Sequence, residues 1–303
     1  MANNKLHVRS ISLPTRPHPS TARVEEQLNK LQAWESEATS GSSSSSSSLF
    51  KGLSGLEELY ECVGDLLQMG STQQVLSKNQ HENKYYYCLE DLLDGSLRLL
   101  DICGVTRDVL LQTKEHVGAL QSGLRRRKGD PTMETNITAY NCFRKKMKKQ
   151  VKKLSLATKQ VNKRFEAQSI IGQDDDDHHH HFCAVMSSLR QVCAMNSSIF
   201  QALFVYLMAP KVKSKWSLVS KLVHKSGSSA VACEEKLECG NELESVDVAL
   251  SSLFGCCDGV KLQTAQKKSE ALEMSLDGLE NGLESLFRKL IRTRTSLLNI
   301  ISQ

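Results

Sequence analysis

Residues 85–124 read YYYCLEDLLDGSLRLLDICGVTRDVLLQTKEHVGALQSGL, and this stretch decides the fold. Tyr85, Leu89, Leu92, Ser96, Leu99, Cys103, Thr106, Leu110, Thr113, Val117, Leu120 and Leu124 alternate steps of four and three. That spacing keeps one stripe of a helix facing a neighbour for about forty residues, roughly 60 Å at 1.5 Å per residue. Gly95, Gly104 and Gly118 interrupt it, each costing about 1 kcal/mol against Ala, which leaves room for a bend at each.

The same grid returns at the C-terminus. From Leu262, the positions Ala265, Ser269, Leu272, Leu276, Leu279, Leu283, Leu286, Leu290, Thr293, Leu297 and Ile300 again step by three and four. Phe287, Ile291 and Leu298 widen the stripe, which favours a multi-helix bundle over a free two-stranded coiled coil. Between these two helices, Tyr140, Phe143, Met147, Val151, Leu154, Val161 and Phe165 mark an amphipathic helix over 132–169. Residues 182–208 form the most apolar segment, and 191–210 carry no charge. Polar residues fall between its apolar positions 192, 195, 199, 203 and 206, which favours a buried helix, with a membrane-embedded one as the alternative.

The remaining punctuation orders these elements. Residues 1–20 hold Pro14, Pro17, Pro19 and basic residues without an acid, and are expected to be a disordered arm. A first helix is expected over 21–39, with Val24, Leu28, Leu31 and Trp34 on one face. Residues 40–52 read as a flexible Ser-rich linker that lets this helix swing, and 53–303 as the bundle domain. A second helix is expected from Leu53 to Met69, closed by a turn at Gly70 and Ser71. Residues 172–181, with Asp174–Asp177 and His178–His181, read as a polar break. A short basic helix from Pro210 to Lys225, a loop to Gly240 and a helix from Asn241 to Leu253 complete the pattern. The expected fold is all-α: an elongated antiparallel helical bundle with long heptad-patterned helices.

Composition agrees. Of 303 residues 40% are hydrophobic but only 5% aromatic, and the apolar share is dominated by Leu, a strong helix former. The ten Cys have no framework spacing and the first residues show no apolar signal-peptide segment, so reduced thiols and a cytoplasmic setting are expected. The sequons at Asn136 and Asn196 are then idle. The net charge of +5 hides an asymmetry: residues 125–164 carry fourteen Lys or Arg against two acids, whereas 234–284 carry twelve acids against four Lys. The basic block therefore seeks an acidic surface, inside or outside the fold.

Three ordered blocks carry a family resemblance. RSISLPTRPHP from Arg9 to Pro19, LDICGVTRDVL from Leu100 to Leu110 and LENGLESLFRKLIRTRTSLLNI from Leu279 to Ile300 resemble a plant-specific group of unknown function related to the BYPASS proteins. The Ser run and the Asp-His run depart from that pattern as low-complexity insertions. The resemblance implies an all-helical plant protein without known enzymatic activity, linked to root and shoot development through restraint of a root-derived signal. It transfers no catalytic, cofactor or metal residue.

The strongest functional signal is the basic helix, where Arg144, Lys145, Lys146, Lys148, Lys149, Lys152, Lys153, Lys159, Lys163 and Arg164 crowd beside the apolar stripe. Such a helix lies on anionic lipid, docks an acidic protein or a calmodulin-like groove, or serves as the solvated face of a bundle helix. Nucleic acid fits least, because no zinc-finger, helix-turn-helix or aromatic platform accompanies the charge. Lys211, Lys213, Lys215, Lys221 and Lys225 around Trp216 form a second basic segment. Arg9-Ser10-Ile11-Ser12-Leu13-Pro14 matches the motif that 14-3-3 proteins read when Ser12 is phosphorylated. The His run, with Asp174–Asp177 or Cys183, has metal-binding chemistry but lacks the separated, fixed ligands of a structural site. Cys233 with Cys239, and Cys256 with Cys257, lack C-x-x-C spacing and read as incidental thiols. No phosphate loop, nucleophile elbow or H-E-x-x-H motif occurs. The expected function is a non-enzymatic regulatory or scaffold protein of plant development acting through helix-mediated protein interactions. The alternative is a peripheral or anchored membrane protein that binds anionic lipid.

Overall fold

The computed structural model describes residues 21–40, 45–78, 83–126, 131–167, 177–208, 241–253 and 259–302. Its helices are α1 (Ala22–Ser40), α2 (Ser46–Gln68), α3 (Gly70–Lys78), α4 (Asn83–Leu124), α5 (Pro131–Ala167), α6 (Asp177–Met208), α7 (Glu242–Leu253) and α8 (Gly259–Ile301). Among the described residues there is no strand.

The four long helices α4, α5, α6 and α8 form the expected antiparallel body. Along the α4–α8 seam, Lys114 pairs with Asp277 (2.7 Å) and Glu280, Gln121 donates to Glu273 (2.9 Å) and Arg125 faces Glu270 (3.6 Å). Numbers rise on one helix as they fall on the other, so the pair is antiparallel. The same logic orders α4 against α5, where Phe165 lies on Gly95 and Asn136 lies near Gly123. It also orders α5 against α6, where Arg144 reaches the Leu207 carbonyl and Ser155 meets Gln201. α2 runs parallel to α8, since Phe50 meets Gly278, Leu53 meets Gly282 and Lys289 pairs with Glu61 at 2.9 Å.

The heptad stripe of α4 is the buried one. Leu89, Leu92, Leu99, Cys103, Leu110, Val117, Leu120 and Leu124 are all in the core. Its two threonines are buried without an unpaired hydroxyl, because Thr106 donates to the Ile102 carbonyl and Thr113 to the Val109 carbonyl, both at 2.6 Å. α6 sits at the centre, against α1, α2, α3, α4 and α5. Among the described residues it is the one helix long and apolar enough to cross a membrane, and here its large side chains, Phe182, Phe200, Phe204 and Tyr206 among them, are buried in protein. Asn196 is equally buried, and it donates to the Tyr60 hydroxyl of α2, so its sequon is enclosed.

Several boundaries differ from expectation, each for a local reason. α2 begins at Ser46, not Leu53, because the Ser45 side chain caps it by accepting from the Ser48 amide (3.3 Å), so residues 46–52 are helix and not linker. Gly70 and Ser71 do not end in a turn but open α3, whose Val75 and Leu76 are buried. The polar break is shorter than expected, since α6 already starts at Asp177 and takes in His178–His181. α4 runs through Gly95, Gly104 and Gly118 as one helix. α1 is anchored by Val24, Leu28 and Leu31 in the core and by Trp34, whose indole N–H donates to the Ser48 carbonyl (2.9 Å). The Pro210–Lys225 segment lies outside the described residues.

Candidate interaction face

α5 is positioned by the stripe Ile137, Tyr140, Phe143, Met147, Val151, Leu154 and Val161, all buried against α4 and α6. The residues between them must then face out. Lys145, Lys146, Lys149, Lys152, Lys153, Lys159, Lys163 and Arg164 are exposed, and Lys148 is half-buried.

Arg144 does not belong to this face. It is 4% exposed and turns inward to Asp247 of α7, Nε to Oδ1 at 3.1 Å and Nη2 to Oδ2 at 2.8 Å, while Nη1 donates to the Leu207 carbonyl at 3.0 Å. Burial is the largest single influence and works against the charged guanidinium, but the hydrogen bond to Asp247 together with the charge interactions with Tyr140, Asp247 and Tyr206 holds the Arg144 pKa above its usual value. Tyr140 donates to the same carboxylate at 3.2 Å, and Lys148 approaches it at 3.9 Å. Sequence patterning misplaces Arg144 because it stands next to a lysine run, and only the partner on α7, far along the chain, pulls it in.

Arg164 is also engaged, at 2.7 Å from Asp94 of α4. The remaining seven lysines, Lys145, Lys146, Lys149, Lys152, Lys153, Lys159 and Lys163, have no carboxylate within 4 Å among the described residues. The described acids of the C-terminal half do not neutralise them. Glu270, Glu273, Asp277, Glu280 and Glu284 instead meet Gln121, Lys114 and Arg107 of α4 and Arg125 just beyond it. The basic face is thus a solvent surface of one sign, about 27 Å from Lys145 to Lys163, with Leu156 in its middle at 54% exposure.

This geometry disfavours a calmodulin-like groove. The anchors such a groove takes from an amphipathic helix, Phe143, Met147, Val151 and Leu154, are core residues of the bundle.

The other candidates are placed as follows. Ser12, with its 14-3-3 motif, and the Lys211–Lys225 segment lie outside the described residues, as do Cys233, Cys239, Cys256 and Cys257. Among the described residues no three His, Cys, Asp or Glu lie close enough together to hold a metal ion. Cys62, Cys88, Cys103, Cys142, Cys183 and Cys193 are in no disulfide, and burial pushes both Cys103 and Cys193 up to about 12. An apolar cavity lined by Tyr60, Leu99, Leu189, Cys193 and Leu297 has a volume of about 20 Å³, room for one water.

One surface goes unnoticed in the sequence. Asp101, Asp108 and Glu115 are exposed on the outer side of α4, with Val105 and Leu111 between them and Leu97 one turn before. The sign was present in the seven-residue spacing, but the apolar stripe of the same helix hides it.

A family model described as "Protein BPS1" matches residues 52–300, from the first turns of α2 to the end of α8. No curated protein and no solved structure matches the chain.

Proposed function

From the premise that the chain belongs to the BPS1 family, we propose that it is a non-enzymatic regulatory or scaffold protein of root and shoot development that docks an acidic protein partner on the lysine face of α5. The observation that carries this is the set of seven exposed lysines that have no carboxylate partner among the described residues, while the acids of α8 pair with the α4 side of the bundle. A bundle gains little by placing like charges side by side, at three- and four-residue spacing, on one helix. A negatively charged partner relieves that repulsion and gains the pairings.

The non-enzymatic reading rests on the sequence, which carries no phosphate loop, nucleophile elbow or H-E-x-x-H motif. Phosphorylated Ser12 adds a second docking point, for a protein of the 14-3-3 class. The setting is cytoplasmic.

The test is complementation of a plant lacking the protein. A variant with Lys145, Lys146, Lys149, Lys152, Lys153, Lys159 and Lys163 changed to Gln, accumulating to the wild-type level, should fail to restore root and shoot growth. Full rescue would sink the reading.

A second reading, peripheral attachment to anionic lipid, is favoured by one observation: the charges lie along a single long helix face around an exposed Leu156. It predicts co-sedimentation with vesicles containing about 30% phosphatidylserine, loss of binding at high salt, and no binding by the Gln variant. A protein that stays in the supernatant with such vesicles at low salt removes it.

A further inference from the structure

The lysine face has a counterpart on the same chain. Asp101, Asp108 and Glu115 recur every seven residues on the solvent side of α4. Among the described residues none of them has a cation within 4 Å. On α5, Lys145, Lys152 and Lys159 recur at the same interval. Each set covers two heptads, about 21 Å of helix. Apolar residues accompany both: Leu97, Val105 and Leu111 beside the acids, Leu156 beside the lysines, all exposed.

The two sets cannot meet within one chain. α4 and α5 pack through other sides, where Thr113 meets the Met147 sulfur at 3.4 Å and His116 stacks on Phe143 with ring centroids 4.2 Å apart. The Asp94–Arg164 pair bridges the edge between the helices, and the two stripes diverge from it into solvent.

We infer that the acidic stripe of α4 is a docking surface for the lysine face of α5 on a second copy of this chain. The inference rests on reading the lysine face as a docking face, and names its partner. Sign, repeat and length correspond, and an apolar residue of one face lies where the other has apolar residues to cover. An anionic membrane accounts for the lysines alone, whereas a basic helix of the same period accounts for the acids as well. Because each copy carries one face of each sign, two copies either satisfy both faces reciprocally in a two-fold dimer or join head-to-tail and leave one free face at each end. Association in either form grows with concentration. All the charges involved are exposed, so association must weaken as salt screens them.

The experiment is sedimentation velocity of the full chain at about 25 mM and about 500 mM salt. The wild type should associate with rising concentration at low salt and be monomeric at high salt. One variant carries Asp101→Lys, Asp108→Lys and Glu115→Lys; another carries Lys145→Glu, Lys152→Glu and Lys159→Glu. Each alone should associate at least about tenfold more weakly than wild type. Mixed in equal amounts they should associate again, because acidic α4 then meets basic α5 and basic α4 meets acidic α5. A wild type that stays monomeric at low salt overturns the inference, and so does association that neither variant changes, or a mixture that remains monomeric. Should a reversal variant fail to fold, Asp101→Asn, Asp108→Asn and Glu115→Gln serve in its place, with loss of low-salt association expected and its persistence fatal. The acid variants leave the lysine face intact. A monomeric wild type together with failed complementation by the lysine-to-Gln variant therefore refutes the second copy as partner and leaves the docking face standing.

Discussion

Arg144 of α5 and Asp247 of α7 form a two-point ion pair, 3.1 and 2.8 Å, with the guanidinium 4% exposed and the carboxylate 29% exposed. Three elements meet here, since the same guanidinium holds the Leu207 carbonyl near the end of α6. Removing one member leaves the other charge largely desolvated, so Arg144→Leu and Asp247→Leu should each cost about 3 kcal/mol in urea unfolding. Replacing both together should cost less than the sum, because no unpaired charge is left. Additive losses would show that the pair does not act as a unit.

The lysines of the outer face should behave in the opposite way. Lys145→Gln, Lys149→Gln and Lys152→Gln remove charges that pair with nothing among the described residues, so each should change stability by less than about 0.5 kcal/mol. Lys114 on α4 is the internal control. It meets Asp277 and then Glu280, hydrogen bonds that raise its pKa, and Lys114→Gln should cost about 1 kcal/mol. Comparable losses at Lys149 and Lys114 would mean that the outer lysines have partners within the fold.

The sequence makes the long helices legible because the period that defines them is the period that buries them. The stripe from Leu89 to Leu124 is read directly from spacing and is core in the structure. What it conceals is pairing over distance. Nothing local distinguishes Arg144 from Lys145, and the difference is made by Asp247, which reaches it only after the chain has folded. Helix starts are hidden for a similar reason. Ser45 caps α2 from within a serine run, where no single serine stands out. The expected turn at Gly70 became α3 because Val75 and Leu76 find burial there. The acids of α4 were equally visible as letters, but only the orientation fixed by the core shows that Asp101, Asp108 and Glu115 share the outer side.

The buried thiols set the alkaline limb of stability. Cys103, whose S–H donates to the Leu283 carbonyl, and Cys193 are both pushed up by burial from 9.0 to about 12. The native state keeps a proton that the unfolded chain has lost, so this stability is complete below about pH 9 and declines as pH rises toward 12. The slope is about 1.4 kcal/mol per pH unit for each thiol. Burial raises Tyr60, Tyr140 and Tyr206 from 10.0 in the same direction, adding to the loss above pH 10. Urea midpoints measured from pH 8 to 10.5 should therefore fall, and Cys103→Ala with Cys193→Ala should flatten the curve while lowering its plateau. A double variant with the wild-type slope would assign the alkaline loss to the tyrosines and to Cys62, which burial also raises.

Two glycines should respond to the same substitution with opposite sign. Gly118 on α4 has nothing within 4 Å of the place a Cβ would occupy. Gly118→Ala there only restricts the unfolded chain and favours the helix, a gain of about 0.5–1 kcal/mol. Gly278 on α8 faces α2, and its Cβ would stand 2.7 Å from Cε1 and 2.8 Å from Cζ of Phe50, while one turn later that of Gly282 would stand 3.0 Å from Cδ1 of Leu53. At Gly278 the same propensity gain is opposed by an aromatic ring wedged between two parallel helices, and overpacking of this kind costs about 1–3 kcal/mol. Gly278→Ala should therefore destabilise in thermal or urea unfolding, and Phe50→Leu should recover part of the loss by vacating the space. If Gly278→Ala instead stabilises as Gly118→Ala does, α2 does not approach α8 as closely as the glycine pair allows, and the cohesion of that seam must come from the Glu61–Lys289 pair and the leucines beside it.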